Sequence, residues 1–164
     1  MERYFSLGLF RLLPAFRRLE AEAQEHLKEE FALLLRRYAE RGGSLRAYSL
    51  VGLSAEADLL LFQGAEDPKA FQALRREANR TRFMGYLEPV ALFLDRGEGE
   101  PGEDPVALFP YGLEGAPPQG AKVLRGRQVV LLEGPLALLF PLAVAEGGYL
   151  ALPRGFREAL DDLG

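Results

Sequence analysis

Tyr4 to Phe10 is a run of aromatic and branched apolar residues that gives out before Pro14, a pattern that predicts a buried first strand. Beyond it, Phe16, Leu19, Ala23, Leu27, Phe31, Leu34 and Tyr38 recur at steps of three and four, with Glu, Lys and Arg between them, until Gly42-Gly43. That spacing predicts a long amphipathic helix ended by glycine. Arg46 to Leu53 and Ala57 to Phe62 are apolar runs too close for a crossover, so they predict an antiparallel hairpin. Asp67 is placed to cap a second helix that starts at Pro68, where a missing amide proton costs nothing, and Phe71, Leu74 and Ala78 form its inward stripe. Glu88 to Leu94 returns to strand. The first ninety-five residues thus read βαββαβ, the ferredoxin-like order of an α+β fold.

The pattern weakens after Asp95. Arg96 to Asp104 is rich in Gly, Pro and acidic residues, buries nothing and reads as a disordered loop, and Ala116-Pro117-Pro118-Gln119-Gly120 is a second turn-rich stretch. Short strands are expected at Lys122 to Leu132, Leu136 to Phe140 and Tyr149 to Leu152, then a short helix with Phe156, Leu160 and Leu163 on one side. The expected organisation is a ferredoxin-like domain over 1–95, a linker over 96–121, and over 122–164 a short β-rich extension that is part of a second unit. A four-stranded sheet with two helices on one face leaves its other face apolar, to be covered by the tail strands or by a second subunit.

Composition narrows the function. Of the 164 residues 48% are apolar and 27% charged, which suits a folded chain. A net charge of -4 argues against a general nucleic-acid binder. With no apolar run near twenty residues and no charged-then-apolar leader, the expectation is a cytoplasmic protein with no membrane partner. Cysteine is absent, which excludes disulfides, thiolate catalysis, iron–sulfur clusters and thiolate-bound zinc. The abundance of Leu, Arg, Glu and Pro is thermophile-like.

The stretch from Tyr48 to Tyr86 carries a family likeness. Val51-Gly52-Leu53, Ala57-Asp58-Leu59, Arg75, Thr81 and Tyr86 fall where the chlorite dismutase and coproheme decarboxylase family has its pattern, so the chain resembles the first half of that family over roughly Arg3 to Leu94. The resemblance implies two ferredoxin-like halves in an α+β barrel, a ring-shaped homo-oligomer, and haem chemistry in the second half. A weaker likeness runs from Leu138-Leu139-Phe140-Pro141 to Tyr149-Leu150-Ala151-Leu152-Pro153 with Arg157, and is similar to the opening of the family's second half. Phe140 stands where coproheme decarboxylases carry a tyrosine, and the basic residue expected after it is missing from Leu142 to Ala145. The haem-ligating histidine implied soon after Arg157 is missing as well, since Leu160 leads only to Asp161, Asp162, Leu163 and Gly164. No catalytic residue carries over, and the expectation is a family member without haem catalysis that acts as an oligomeric scaffold, regulatory or partner-binding protein. A separate protein that completes the missing half is a further implied partner. The alternative is a haem-binding oxidoreductase, or a cofactor-independent barrel enzyme, with a pocket between subunits.

The remaining candidates come from the residues themselves. His26 is the single histidine and the only imidazole able to ligate iron or shuttle protons, though its place beside Leu27 is that of an ordinary boundary residue. Glu22, Glu25, Glu29 and Glu30 surround it, but the second helix offers only Glu77 and Asn79 amid arginines that would repel a cation. Arg75, Arg76, Arg80 and Arg82 are suited to a carboxylate such as a porphyrin propionate, or to pairing with glutamates. Tyr48, Phe62, Tyr86 and Phe93 are candidates to line an apolar cavity for a flat ligand.

Overall fold

The computed structural model describes residues 3–126 and 128–164. Its first unit follows the predicted order: β1 (Arg3–Leu12), α1 (Ala21–Glu40), β2 (Ser44–Ser49), β3 (Leu59–Ala65), α2 (Lys69–Asn79) and β4 (Leu87–Gly97). The start of the first helix is a separate 3-10 turn, Pro14–Arg18, which drives Phe16 fully into the core before α1 begins. Asp67 accepts the Lys69 amide at 2.9 Å through Oδ1, as a cap does. Gly52 takes a φ of +81°, a conformation that side chains resist, and so lets the chain turn between β2 and β3. Asp58 then pins the end of β1. Its carboxylate accepts the Leu12 amide at 3.0 Å, and its own amide donates to the Phe10 carbonyl at 2.8 Å.

The second unit contains more than the sequence pattern predicts. β5 (Val106–Phe109) lies inside the stretch expected to be linker, and all four of its residues are buried between β7 (Val130–Glu133) and β8 (Tyr149–Arg154). The single strand expected over Lys122 to Leu132 is a hairpin of β6 (Lys122–Arg125) and β7, with Arg125 opposite Val130. Leu136 to Phe140 is not a strand. It opens α3 (Leu136–Glu146), which Gly147 ends in a left-handed conformation while the Gly148 amide returns to Ala143. Four strands therefore belong to the half expected to be mostly missing, and this chain supplies them without a separate protein. The residues likened to the opening of that half, 138–153, are its closing helix and strand, and its opening strand is β5.

All eight strands form one antiparallel sheet in the order β4-β1-β3-β2-β8-β5-β7-β6. Each half repeats the same order, fourth-first-third-second, with the stretch 110–121 in place of a helix in the second. The halves join where β2 pairs with β8, from Ala47 opposite Arg154 to Ser49 opposite Leu152. A bridge between Gly97 and Gly126 brings the far ends of the order together, so the sheet curls into a barrel. Side chains of alternate residues fill it: Phe5, Leu7 and Leu9 from β1, Tyr48 from β2, Leu60 and Phe62 from β3, Val106 and Leu108 from β5, and Leu131 from β7. The apolar inner face of the first sheet is thus covered by the tail strands of the same chain.

Two further clusters lie outside the barrel. One, under α1, α2 and the last helix α4 (Phe156–Leu163), contains Phe31, Leu35, Phe83 and Leu160. The other, under α3, contains Phe109, Leu132, Leu139 and Ala143. Although α4 ends the second unit, it packs on the first, and Arg157 fixes it there with ion pairs to Glu25 and to Glu29 at 3.0 Å, its guanidinium steadied within α4 by Asp161 at 3.1 Å. The tract 98–104, expected to be disordered, is held as well. Glu100 pairs with Arg3 and accepts the Lys122 ammonium on its carbonyl at 2.6 Å, and Gly102 lies against the Glu133 carboxylate.

Candidate functional site

A cleft of about 640 Å³ separates α2 from the outer face of the first sheet. Its origin is in β1. Phe5, Leu7 and Leu9 point into the barrel, so Ser6, Gly8 and Phe10 face outward, and the first two are too small to reach α2. The Phe10 ring leans back over Gly8, where a Cβ would come within 2.9 Å of it. Leu61 of β3 and Leu92 and Leu94 of β4 extend the floor, and Leu74 and Ala78 of α2 make the roof. Leu92 and Leu94 are 60% and 61% exposed, far more than leucines in a filled layer. Pro89 cannot donate to the ladder, and the β1–β4 register slips beside it, with Phe10 opposite Pro89 but Leu9 opposite Ala91.

Polar groups are few in the cleft and fixed. Gln63 is 6% exposed, and its Nε2 donates to the Tyr38 hydroxyl at 2.7 Å and to the Ala70 carbonyl at 3.2 Å, tying β3 to both helices. Arg75 stands at the wall with its guanidinium 5.7 Å from the Phe10 ring centroid and its Nε on Asn79 Oδ1 at 3.0 Å. Lys69 and Asp67 complete the rim.

The four arginines expected to act together do not converge. Arg75 faces this cleft, whereas Arg82 borders a different, open groove of about 790 Å³ that it shares with His26, Leu27 and Tyr86. Arg76 and Arg80 are exposed. His26 is exposed on α1, and three of the four glutamates around it are engaged: Glu25 and Glu29 with Arg157, Glu29 also with Arg36 at 2.5 Å, and Glu30 on the Arg82 backbone amide at 3.1 Å. Arg36 and then Arg157 hold the Glu29 carboxyl below its ordinary value. Among the described residues no group of three or more His, Asp or Glu is placed to hold a metal ion.

Tyr48 and Phe62 do come together, in the barrel core, and Phe93 packs against that cluster while Tyr86 lies outside it. The four share no cavity for a flat ligand: the space beside Phe62 inside the barrel is only about 10 Å³, while Phe93 borders an open surface groove of about 780 Å³ and Tyr86 the groove of His26 and Arg82. The Tyr48 hydroxyl and Glu133 Oε2 are buried with no hydrogen-bond partner among the described residues. Burial holds the Tyr48 phenol well above its ordinary value, with Arg46 pulling it down and Glu133 pushing it up.

The model of the chlorite dismutase family matches residues 21–96, from the first helix to the end of β4. Solved structures extend the likeness to the whole fold. A tryptophan-to-phenylalanine mutant of chlorite dismutase from Candidatus Nitrospira defluvii, in complex with cyanide, superposes with a TM-score of 0.80 at 14% identity, over 98% of this chain and 94% of that one. The chain therefore has the chlorite dismutase fold. The imidazole complex of the same enzyme gives 0.77 at 14% identity over 98% and 94%, and a haem-binding protein from Thermus thermophilus gives 0.74 at 16% identity over 98% and 94%. Among curated proteins none matches by sequence. No helix among the described residues is long and apolar enough to cross a membrane.

The residues of the second unit do not fit a haem. An iron porphyrin needs an axial ligand and an enclosed apolar space. No histidine occurs after His26, so none lies in the second unit. The outer face of its sheet is occupied by α3, with Leu139 fully buried against Phe109 and Leu132. Tyr149 is half-buried on the opposite, barrel side of β8, and burial, the hydrogen bond to Glu56 at 3.1 Å and that carboxylate's charge all hold its phenol above its ordinary value, opposite to what an axial phenolate requires. Phe140, expected in place of the family's tyrosine, sits on the outward side of α3 and is 51% exposed.

Proposed function

We propose that this chlorite dismutase-like protein works without haem catalysis, as a homo-oligomeric scaffold that binds a partner through its second unit. One observation carries the reading. α3 has a single charged residue, Glu146, and presents Leu136, Phe140 and Val144 at steps of four on its outer side, exposed by 39%, 51% and 70%. An apolar stripe of that kind is costly in water and marks a surface made to be covered. The filled sheet face beneath α3 and the absence of histidine from the second unit support the loss of haem chemistry. The test is the haem content of protein expressed with added haem, measured as the pyridine haemochrome, together with the mass in solution by light scattering. The reading expects far less than one haem per chain and a mass of several chains; stoichiometric haem or a stable monomer refutes it.

A second reading rests on His26. It borders the open groove with Tyr86 and Arg82, and if another subunit roofed that groove the imidazole would be available to iron and the guanidinium to a propionate. Haem retained by the parent and lost from His26→Ala would establish this oxidoreductase-like alternative.

A further inference from the structure

We propose that the cleft between α2 and the outer face of β1, β3 and β4 binds an amphipathic organic anion, a molecule with an apolar body and a carboxylate. The inference goes beyond the haem-free reading and does not depend on it.

Three observations converge. First, the space is a site rather than a packing gap: about 640 Å³ lies within the range of small-molecule pockets, which run from roughly 300 to 1,000 Å³. It is kept open by Ser6 and Gly8, two small residues at adjacent outward positions on a strand whose next outward residues are Phe10 and Leu12. Second, its floor is apolar and wet, since Leu92 and Leu94 are each about three-fifths exposed. An apolar ligand body laid on them removes that surface from water. Third, the charge at the wall is positive and positioned. Among the described residues only Nε of Arg75 is engaged, by the neutral Asn79, and the Phe10 ring steadies the guanidinium, so its two terminal nitrogens remain for a two-pronged contact with a carboxylate. Lys69 adds a second cation at the rim, and the one carboxylate of the lining, Asp67, is turned to the Lys69 amide. Gln63, nine-tenths buried and held through its nitrogen, leaves Oε1 without a donor among the described residues.

The test uses the full chain and the fluorescence of dansyl-aminoundecanoate, with laurate, dodecanol and dodecylammonium as competitors. The inference expects saturable binding of one probe per chain, displaced by laurate, with dodecylammonium about tenfold weaker because it meets Arg75 and Lys69 with like charge. Arg75→Gln, at an exposed position where folding is not at stake, should weaken laurate about tenfold and dodecanol less than twofold, one charge-assisted contact being lost. Ser6→Leu, which fills the cleft, should weaken both, with circular dichroism confirming the fold. Absence of saturable binding overturns the inference, as does equal competition by dodecylammonium or unchanged laurate binding in Arg75→Gln. A cleft occupied by a segment of a second copy would appear as no probe binding at any concentration, and also counts against it. None of these results bears on haem, which is read separately from its own absorption.

Discussion

Tyr48→Phe separates a functional from a structural reading of the barrel interior. Tyr48 is fully buried and its hydroxyl has no partner among the described residues, so the native state carries the desolvation cost of that group, about 1–3 kcal/mol, with no compensating protein bond. Phenylalanine keeps the ring and removes only the oxygen, leaving no cavity of consequence. The variant should therefore be more stable by up to that amount, which raises Tm by roughly 2–10 °C for a chain of this size. The pH dependence gives an independent check. The folded phenol lies above its ordinary value, through burial first and then the charge of Glu133 against the opposing pull of Arg46. A group raised in this way stays neutral in the fold while the unfolded phenol ionises from about pH 10, so its contribution is complete below that pH and is lost as pH rises further. Calorimetry and urea unfolding at neutral pH and at pH 11 should show Tyr48→Phe ahead at both, with the larger margin at pH 11. A loss of more than 1 kcal/mol at neutral pH would mean that the hydroxyl is bonded after all, and the case for a dry, non-catalytic barrel would fail with it.

Phe140→Glu with Val144→Glu, placed on an exposed face, should leave the fold intact but reduce the oligomer to monomers in light scattering. Leu160→Ala should cost about 2–5 kcal/mol in urea unfolding, because α4 fills the first unit's core although it ends the second. For Glu29, held below its ordinary value by Arg36 and Arg157, the stabilisation is present above the unfolded value, near 4.3, and lost as pH falls through the lower folded value. Glu29→Gln should accordingly flatten the acid limb of the stability curve between pH 5 and pH 3, measured by thermal unfolding.

How much was legible depended on length and period. Phe16 to Tyr38 spans enough turns for a helical period to be unmistakable, and Asp67-Pro68 marks a helix start by chemistry rather than by pattern. Val106 to Phe109 is only four residues between Gly- and Pro-rich tracts, and nothing local distinguishes a strand so short from a loop; it is a strand because β7 and β8 bury it on both sides. Leu136 to Ala145 has no polar residue to reveal a period, so an apolar run there reads equally as strand or helix; Pro135 before it and Gly147 after it were the available helix boundaries. With β5 and α3 not legible as strand and helix, the pattern of residues gives only part of the second unit, and the barrel follows from the family resemblance rather than from the periodicity. The cleft left a fainter trace: Ser6 and Gly8 at alternate positions in an otherwise bulky strand, and Gln63 in an apolar one. Only α2 standing opposite turns those small residues into a space, and Arg75 was the one predicted residue placed there.

The proposed scaffold function rests on a second unit that, filled by α3 and without an imidazole, binds no iron porphyrin. Titration of the purified chain with hemin, followed in the Soret region, tests it most directly. The expected result is a linear, unsaturated rise without the sharp shifted band of a ligated haem, unchanged by His26→Ala. A saturable shifted Soret band at one haem per chain would contradict it.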